Sequence, residues 1–191
     1  LLACAHFAEQ LEAHPPQILD GASRVELRKA RHPLLVLKGV PVVPNDILLG
    51  EEYQTLIVTG PNAGGKTVSL KTVGLLTLMA QAGLHIPALP ESRLTPFVTV
   101  ETDIGDEQDL SSDLSTFSAN ILNLKRILSR TDKRSLVLLD EIIVGTEPVQ
   151  GAALAIAILE TFAERGALTL VTTHYDQLKI MAHTNPAFEN G

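Results

Sequence analysis

The string Gly60-Pro61-Asn62-Ala63-Gly64-Gly65-Lys66-Thr67 is the strongest signal in this sequence. It fits the pattern G-x-x-x-x-G-K-[ST], in which glycines let backbone N–H groups close around a phosphate chain. A β-favouring run, Thr55–Thr59, precedes the string, and a helical apolar pattern over residues 67–82 follows it. The string therefore predicts a phosphate-binding loop between a buried strand and a helix whose positive end faces the phosphates.

Two more apolar runs, at residues 135–139 and 168–172, predict buried strands, and residues 152–165 between them have a helical pattern. Strand, helix, strand, helix and strand in this order indicate an α/β fold with a mainly parallel sheet. Together with the phosphate loop, the order predicts a P-loop nucleoside triphosphatase fold.

Chemically active side chains follow the ends of these strands. Lys66 is placed to neutralise the β- and γ-phosphates, and the Thr67 hydroxyl to ligate Mg²⁺. Asp140 is expected to hold Mg²⁺ through water, and Glu141 to orient the attacking water or accept its proton. His174, at the end of the third strand, is expected to reach the γ-phosphate. The alternatives are an acid pair that only begins a loop and an ordinary loop histidine.

Three other segments leave alternatives open. A helical stripe is predicted by the spacing of Phe117, Ile121, Leu124 and Leu128. Ser115 would lie at the N-terminus of this helix, where its hydroxyl either caps the helix or meets a phosphate. Residues 101–113 carry six acids and favour a solvated, mobile loop over a metal site. Five basic residues between positions 125 and 134 are either a surface for an acidic partner or a solvated helix face.

The beginning of the chain predicts less. Residues 1–14 have a helical pattern that ends at Pro15-Pro16, and residues 40–49 are extended with a loop at Asn45-Asp46. The sequence starts without Met, and we expect it to be a domain from a longer chain.

Composition excludes several classes of protein. With 191 residues, 45% hydrophobic and 19% charged, the chain is too apolar to be disordered. A single cysteine, Cys4, excludes a disulfide framework and a cysteine-based zinc site, and favours the cytoplasm. No apolar run reaches the length of a membrane span. A net charge of −7 and 4% aromatic residues argue against a stand-alone nucleic-acid binder.

Several strings together resemble the MutS family of ATPases from about Lys29 onward. They are the phosphate loop with Asn after Pro, Ser115-Thr116-Phe117-Ser118 as the signature segment, and Thr173-His174-Tyr175 as the switch histidine. The type-two branch is indicated by Val43-Pro44-Asn45-Asp46-Ile47, Asp103-Ile104-Gly105-Asp106-Glu107-Gln108 and Thr67-Val68-Ser69-Leu70-Lys71-Thr72. The resemblance implies an ABC-type ATPase domain over residues 29–191, with residues 1–28 as the end of a helical lever region and a linker.

The resemblance also implies ATP and Mg²⁺ as cofactors and a homodimer formed through this domain. Glu141 is then the catalytic carboxylate, His174 the γ-phosphate sensor and Lys66 a catalytic cation, while Thr67 and Asp140 hold the metal. The implied nucleotide-binding positions are Gly60, Pro61, Asn62, Ala63, Gly64, Gly65, Lys66, Thr67, Val68, the adenine-packing residues Val42 and Val43, and Ser115 acting in trans on the partner's γ-phosphate.

For the whole protein, the type-two branch implies action on branched DNA, which suppresses recombination, or on stalled ribosomes. These contacts, and an Smr nuclease, belong to domains outside this chain, and no membrane is involved. At one loop the sequence departs from the family: Ile143 stands in place of Gly and Glu147 in place of Asp. A β-branched residue does not readily adopt positive φ. Because the resemblance places this loop at the dimer interface, the departure bears on coupling between the two ATP sites.

Three other functions compete with an ATP hydrolase. A nucleotide-gated clamp would bind ATP without hydrolysing it, and the Asp140-Glu141 pair argues against it. A transporter subunit would need a Ser-Gly-Gly-type signature, which the sequence lacks. A small-molecule kinase would act as a monomer with an acceptor pocket.

Overall fold

The computed structural model describes residues 2–61, 64–105 and 113–191. The chain divides into two compact units, one of residues Leu1–Glu51 with Val68–Pro96 and one of Glu52–Thr67 with Phe97–Gly191. The domain boundary predicted after residue 28 falls inside a strand, Val25–Ala30, and stays a prediction.

The described elements are, in chain order, α1 (Leu2–Leu11), β1 (Gln17–Ile18), β2 (Val25–Ala30), α2 (Pro33–Leu37), β3 (Asn45–Leu49), β4 (Thr55–Thr59), α3 (Lys66–Gln81), β5 (Arg93–Leu94), β6 (Thr99–Asp103), α4 (Asp113–Arg130), β7 (Ser135–Leu139), α5 (Pro148–Glu164), β8 (Leu168–Thr173), α6 (Met181–Thr184) and β9 (Phe188–Asn190). A 3₁₀ turn at Asp176–Ile180 precedes α6. The phosphate loop connects β4 to α3, as predicted.

The second unit contains a five-stranded sheet in the order β6-β7-β8-β4-β9, and every neighbouring pair is parallel. The predicted α/β class with a parallel sheet is therefore confirmed. Because the strands are parallel, the residues that follow β7, β8 and β4 all lie at one edge of the sheet. The phosphate loop, Asp140 and His174 all lie at this edge.

Helices α4 and α5 pack against this sheet through one hydrophobic core. All five residues of β7 are buried, which explains why the strand reads as an uninterrupted apolar run. Leu124 and Ile127 of α4 and Leu159 and Phe162 of α5 are buried in the same cluster. The predicted stripe of α4 is confirmed, since Phe117, Ile121 and Leu128 are partly buried against this core.

The first unit contains a second sheet in the order β1-β5-β2-β3, with β2 antiparallel to both β5 and β3. The loop predicted at Asn45-Asp46 is wrong, because these residues begin β3 and Asn45 pairs with Ala30. Helix α1 ends at Leu11, three residues before the predicted end.

The solvated loop predicted for residues 101–113 is wrong at its beginning. Glu101 and Asp103 belong to β6, and Glu101 is buried. Arg126 and Arg130 of α4 approach its carboxylate at 3.1 and 3.0 Å, which allows this charge to be buried. Residues 106–112 lie outside the described residues. Within the parts that the structure describes, no helix is long and apolar enough to cross a membrane.

Candidate functional site

The phosphate loop leaves β4 at Thr59 and enters α3 at Lys66. Its outer glycines have φ values that disfavour other residues, 135° at Gly60 and 81° at Gly65. The Gly64 N–H donates to the Pro61 carbonyl at 3.0 Å, and the buried Lys66 ammonium donates to the Gly60 carbonyl. The Lys66 side chain therefore connects the end of the loop to its first residue. Asn62 and Ala63 lie outside the described residues.

Asp140 connects the end of β7 to the beginning of α3 and to β8. Its Oδ2 accepts a hydrogen bond from the Thr67 hydroxyl at 2.7 Å, and its Oδ1 accepts one from the Thr172 hydroxyl at 2.5 Å. The Asp140 N–H donates to the Asp103 carbonyl at 2.8 Å. Two hydrogen bonds to the carboxylate and one from the backbone thus fix Asp140 beside Thr67.

Glu141 and His174 form a pair at the same edge of the sheet. The His174 Nε2 lies 2.8 Å from Glu141 Oε1, and both side chains are partly exposed to solvent. The Glu141 N–H donates to the Thr172 hydroxyl oxygen at 2.8 Å. Thr172 therefore contacts both members of the acid pair, through the side chain of Asp140 and the backbone of Glu141.

A second carboxylate, Asp103, lies at the tip of β6. Its two oxygens accept hydrogen bonds from the side-chain amides of Asn120 and Asn123 on α4, at 3.1 and 2.9 Å. Burial raises the pKa of Asp103, while the Asn123 hydrogen bond and the Arg126 charge act in the opposite direction. The Asp103 side chain thus connects α4 to β6, while the Asp103 backbone carbonyl accepts the hydrogen bond from the Asp140 N–H.

For some predicted site residues, a place at this edge stays a prediction. Val42 is half-buried and Val43 is exposed, and both lie in the first unit, as does the exposed Val68. Ser115 is the third residue of α4, inside the helix and not at the flanking position of a capping residue. Its side chain lies outside the described residues, so its role stays a prediction.

The side chains present suit a nucleoside triphosphate with Mg²⁺. Mg²⁺ takes oxygen ligands and is commonly held by one or two side chains together with phosphates and waters. The Thr67 hydroxyl and the Asp140 carboxylate supply two such oxygens, 2.7 Å apart. No cluster of three or more His, Cys, Asp or Glu residues that could cage a metal occurs in the described part of the chain. The donor set therefore fits a metal that arrives with phosphate ligands.

Sequence reasoning missed the roles of Thr172, Asp103 and Tyr175. Thr172 was visible as a hydroxyl at the end of an apolar run, but its partners depend on β8 lying between β7 and β4. Asp103 was hidden among neighbouring acids. The Tyr175 hydroxyl donates to the Ile143 carbonyl at 2.7 Å, a contact across 32 positions.

A parallel sheet with a glycine-rich loop after one strand and an acid after another strand, at the same edge of the sheet, defines a P-loop nucleoside triphosphatase. The family model of MutS domain V, a P-loop ATPase fold, matches residues 56–191, and the chain belongs to this family.

Curated proteins named Endonuclease MutS2 are similar over nearly the whole chain. The protein from Halothermothrix orenii is 53% identical over 188 residues, which are 98% of this chain and 23% of the relative. The protein from Agathobacter rectalis is 52% identical over 191 residues, 100% of this chain and 24% of the relative. The chain thus spans about a quarter of the length of these relatives, and the resemblance to the type-two branch is confirmed.

Proposed function

We propose that this MutS-type ATPase domain binds ATP with Mg²⁺ and hydrolyses the bond between the β- and γ-phosphates. One observation carries the proposal: the Asp140 carboxylate lies 2.7 Å from the Thr67 hydroxyl, while the next residue, Glu141, is paired with His174. A metal-holding acid and a proton acceptor are thereby adjacent, next to a phosphate loop.

Each residue has a chemical role in this proposal. The loop N–H groups and Lys66 bind the phosphate oxygens, and Thr67 and Asp140 hold Mg²⁺, which neutralises phosphate charge when bound. Glu141 orients a water molecule and accepts its proton as the water oxygen bonds to the γ-phosphorus. The bond from that phosphorus to the bridging oxygen breaks, and ADP keeps this oxygen. His174 holds the Glu141 carboxylate and senses the γ-phosphate.

The isosteric change Glu141→Gln tests the hydrolytic step in the full-length protein. The amide cannot accept a proton, so we expect ATP binding to persist while phosphate release falls by roughly 10²-fold or more. The matched control is Glu164→Gln, an exposed acid near the end of α5, which we expect to keep the parent rate.

Two results would contradict this account. Hydrolysis at the parent rate by the Glu141→Gln protein would remove the role given to Glu141. ATP binding without any phosphate release by the parent protein would favour the nucleotide-gated clamp.

The domain's partners belong to the same proposal. Membership in the MutS family supports dimerisation and interaction with DNA. We propose that two copies form a homodimer in which Ser115 contacts the nucleotide of the opposite copy and Val42 and Val43 pack on the adenine. Turnover then drives action on branched DNA or stalled ribosomes through parts of the protein outside this chain.

A further inference from the structure

The segment that follows Asp140 takes an unusual backbone course. Three of its residues have positive φ: Glu141 at 53°, Ile143 at 59° and Gly145 at 78°. Glycine adopts such angles without strain, but a β-branched side chain clashes with its own backbone there. The left-handed conformation at Ile143 therefore requires contacts that hold it in place.

Two contacts hold Ile143. Its side chain is buried in the hydrophobic core of the second unit, and its carbonyl accepts a hydrogen bond from the Tyr175 hydroxyl at 2.7 Å. Tyr175 directly follows His174, whose ring contacts Glu141. The strained segment is thus connected to the end of β8 and the residues after it at Glu141, at Ile142, whose N–H donates to the Thr172 carbonyl at 3.3 Å, and at Ile143.

A glycine in α5 leaves space for the Tyr175 hydroxyl. Gly151 lies inside α5, where glycine is less favourable than alanine. A Cβ at this position would lie 2.9 Å from the Tyr175 Cζ, closer still to its hydroxyl oxygen, and 3.0 Å from the Thr146 methyl. Glycine at this position therefore makes room for the tyrosine.

The hydroxyl also keeps its proton across the neutral range. Burial raises the pKa of Tyr175 above its ordinary value of 10.0, and the negative charge of Glu147 raises it further. Tyr175 therefore remains a hydrogen-bond donor to the Ile143 carbonyl across the neutral range.

We infer that Tyr175 is a positioning residue, whose hydrogen bond to Ile143 fixes the left-handed course of residues 141–145 and thereby holds the Glu141 carboxylate in register with His174. This inference rests on the proposed ATP hydrolysis, because it concerns the geometry of the residue proposed to accept the proton. It gives a function to a hydroxyl that does not contact the phosphate loop in the described structure.

The first test is Tyr175→Phe in the full-length protein, which removes only the hydroxyl. We expect kcat for ATP hydrolysis to fall roughly 5- to 30-fold, the rate equivalent of one hydrogen bond, with KM for ATP unchanged within about twofold. The matched control is Tyr53→Phe, which alters the only other tyrosine in this chain and should leave kcat unchanged. A Tyr175→Phe protein with the parent kcat would overturn the inference.

The second test asks whether the hydroxyl matters because Ile143 is strained. Glycine accepts the left-handed conformation unaided, so Tyr175→Phe should cost less than about threefold in kcat when added to Ile143→Gly. The Ile143→Gly protein and the Ile143→Gly, Tyr175→Phe protein both lack the Ile143 side chain. The effect of the cavity that it leaves on kcat therefore cancels when the two are compared. An equal loss in both backgrounds would overturn the inference. If Ile143→Gly does not fold, Ile143→Asn replaces it, because asparagine also tolerates positive φ.

A further measurement separates this inference from the proposed function. A parent protein without phosphate release would refute hydrolysis, and amide hydrogen exchange would then decide the role of Tyr175. Faster exchange at residues 141–145 in the Tyr175→Phe protein than in the Tyr53→Phe protein supports the inference. Equal exchange in the two proteins overturns it.

Discussion

The Thr172 hydroxyl joins two consecutive acids that are given different tasks. It donates to the side chain of Asp140, and its oxygen accepts the N–H of Glu141. A single buried side chain on β8 therefore positions both the carboxylate that is proposed to hold the metal and the start of the left-handed segment. Hydrogen bonds of this kind fix the geometry of a site without touching the substrate.

The isosteric change Thr172→Val removes this hydroxyl. We expect the protein to need a higher Mg²⁺ concentration for half-maximal ATP hydrolysis, because Asp140 loses a hydrogen bond worth about 1 kcal/mol. A titration of activity against Mg²⁺ in the full-length protein measures this shift.

The same strand supplies the control for Thr172. Among the described residues the Thr169 hydroxyl is buried without a hydrogen-bond partner, so Thr169→Val should leave the Mg²⁺ dependence unchanged and be neutral or stabilising. An identical Mg²⁺ dependence in the two variants would show that the Thr172 hydroxyl does not position the metal-holding acid.

Strands β4, β7 and β8 were predictable from sequence because they are fully buried, or partly buried in the case of β4, and consist of continuous runs of β-favouring residues. Strand β2 was not, because the residues Glu26, Arg28 and Lys29 interrupt its pattern. The structure resolves this conflict by surrounding the Glu26 carboxylate with the guanidinium groups of Arg24 and Arg28. These ion pairs depend on which residues are close in space, and the spacing of apolar residues along the sequence does not contain that information.

The Glu26 carboxylate is expected to stabilise the sheet of the first unit in a pH-dependent way. Burial raises its pKa, but the Arg28 hydrogen bond and the charges of Arg24, Arg28 and Arg93 outweigh burial, so the pKa lies below the ordinary value of 4.5. A lowered folded-state pKa means that stabilisation is complete above 4.5 and is lost as the pH falls through the folded-state value.

Glu26→Gln should therefore lower the free energy of unfolding by about 1–3 kcal/mol at pH 7, and by less in acid. Urea unfolding of the full-length protein, at pH 7 and at the lowest pH at which it stays folded, measures the difference. The exposed acid Glu91, changed to Gln, serves as control and should have no effect at either pH. A loss for Glu26→Gln that does not shrink in acid would contradict the assigned role of its charge.

The chain as a whole contains the residues for one phosphate-binding site, but the proposed hydrolysis draws on two copies. Lys66 and Glu141 would act on the nucleotide bound by their own subunit, and Ser115 on the nucleotide of the partner. The phosphate loop and the acids could be predicted from one sequence because they follow parallel strands of one sheet, β4 and β7, and therefore lie at the same edge. A contact between copies leaves no periodic trace in a single chain, so the role of Ser115 in trans was implied by the resemblance alone.

Mixing two inactive full-length variants tests this division of labour. Lys66→Ala is expected to abolish nucleotide binding in its own subunit, and Ser115→Ala to cripple only the site of the opposite subunit. A mixed dimer then contains one site with both residues intact. If subunits exchange freely, the mixture should recover about a quarter of the parent ATPase rate, because half the dimers are mixed and each has one working site. The control mixture, Lys66→Ala with Glu141→Gln, should recover nothing, since both changes damage the subunit that carries them. Equal rates in the two mixtures would place Ser115 in the same subunit as the nucleotide it serves.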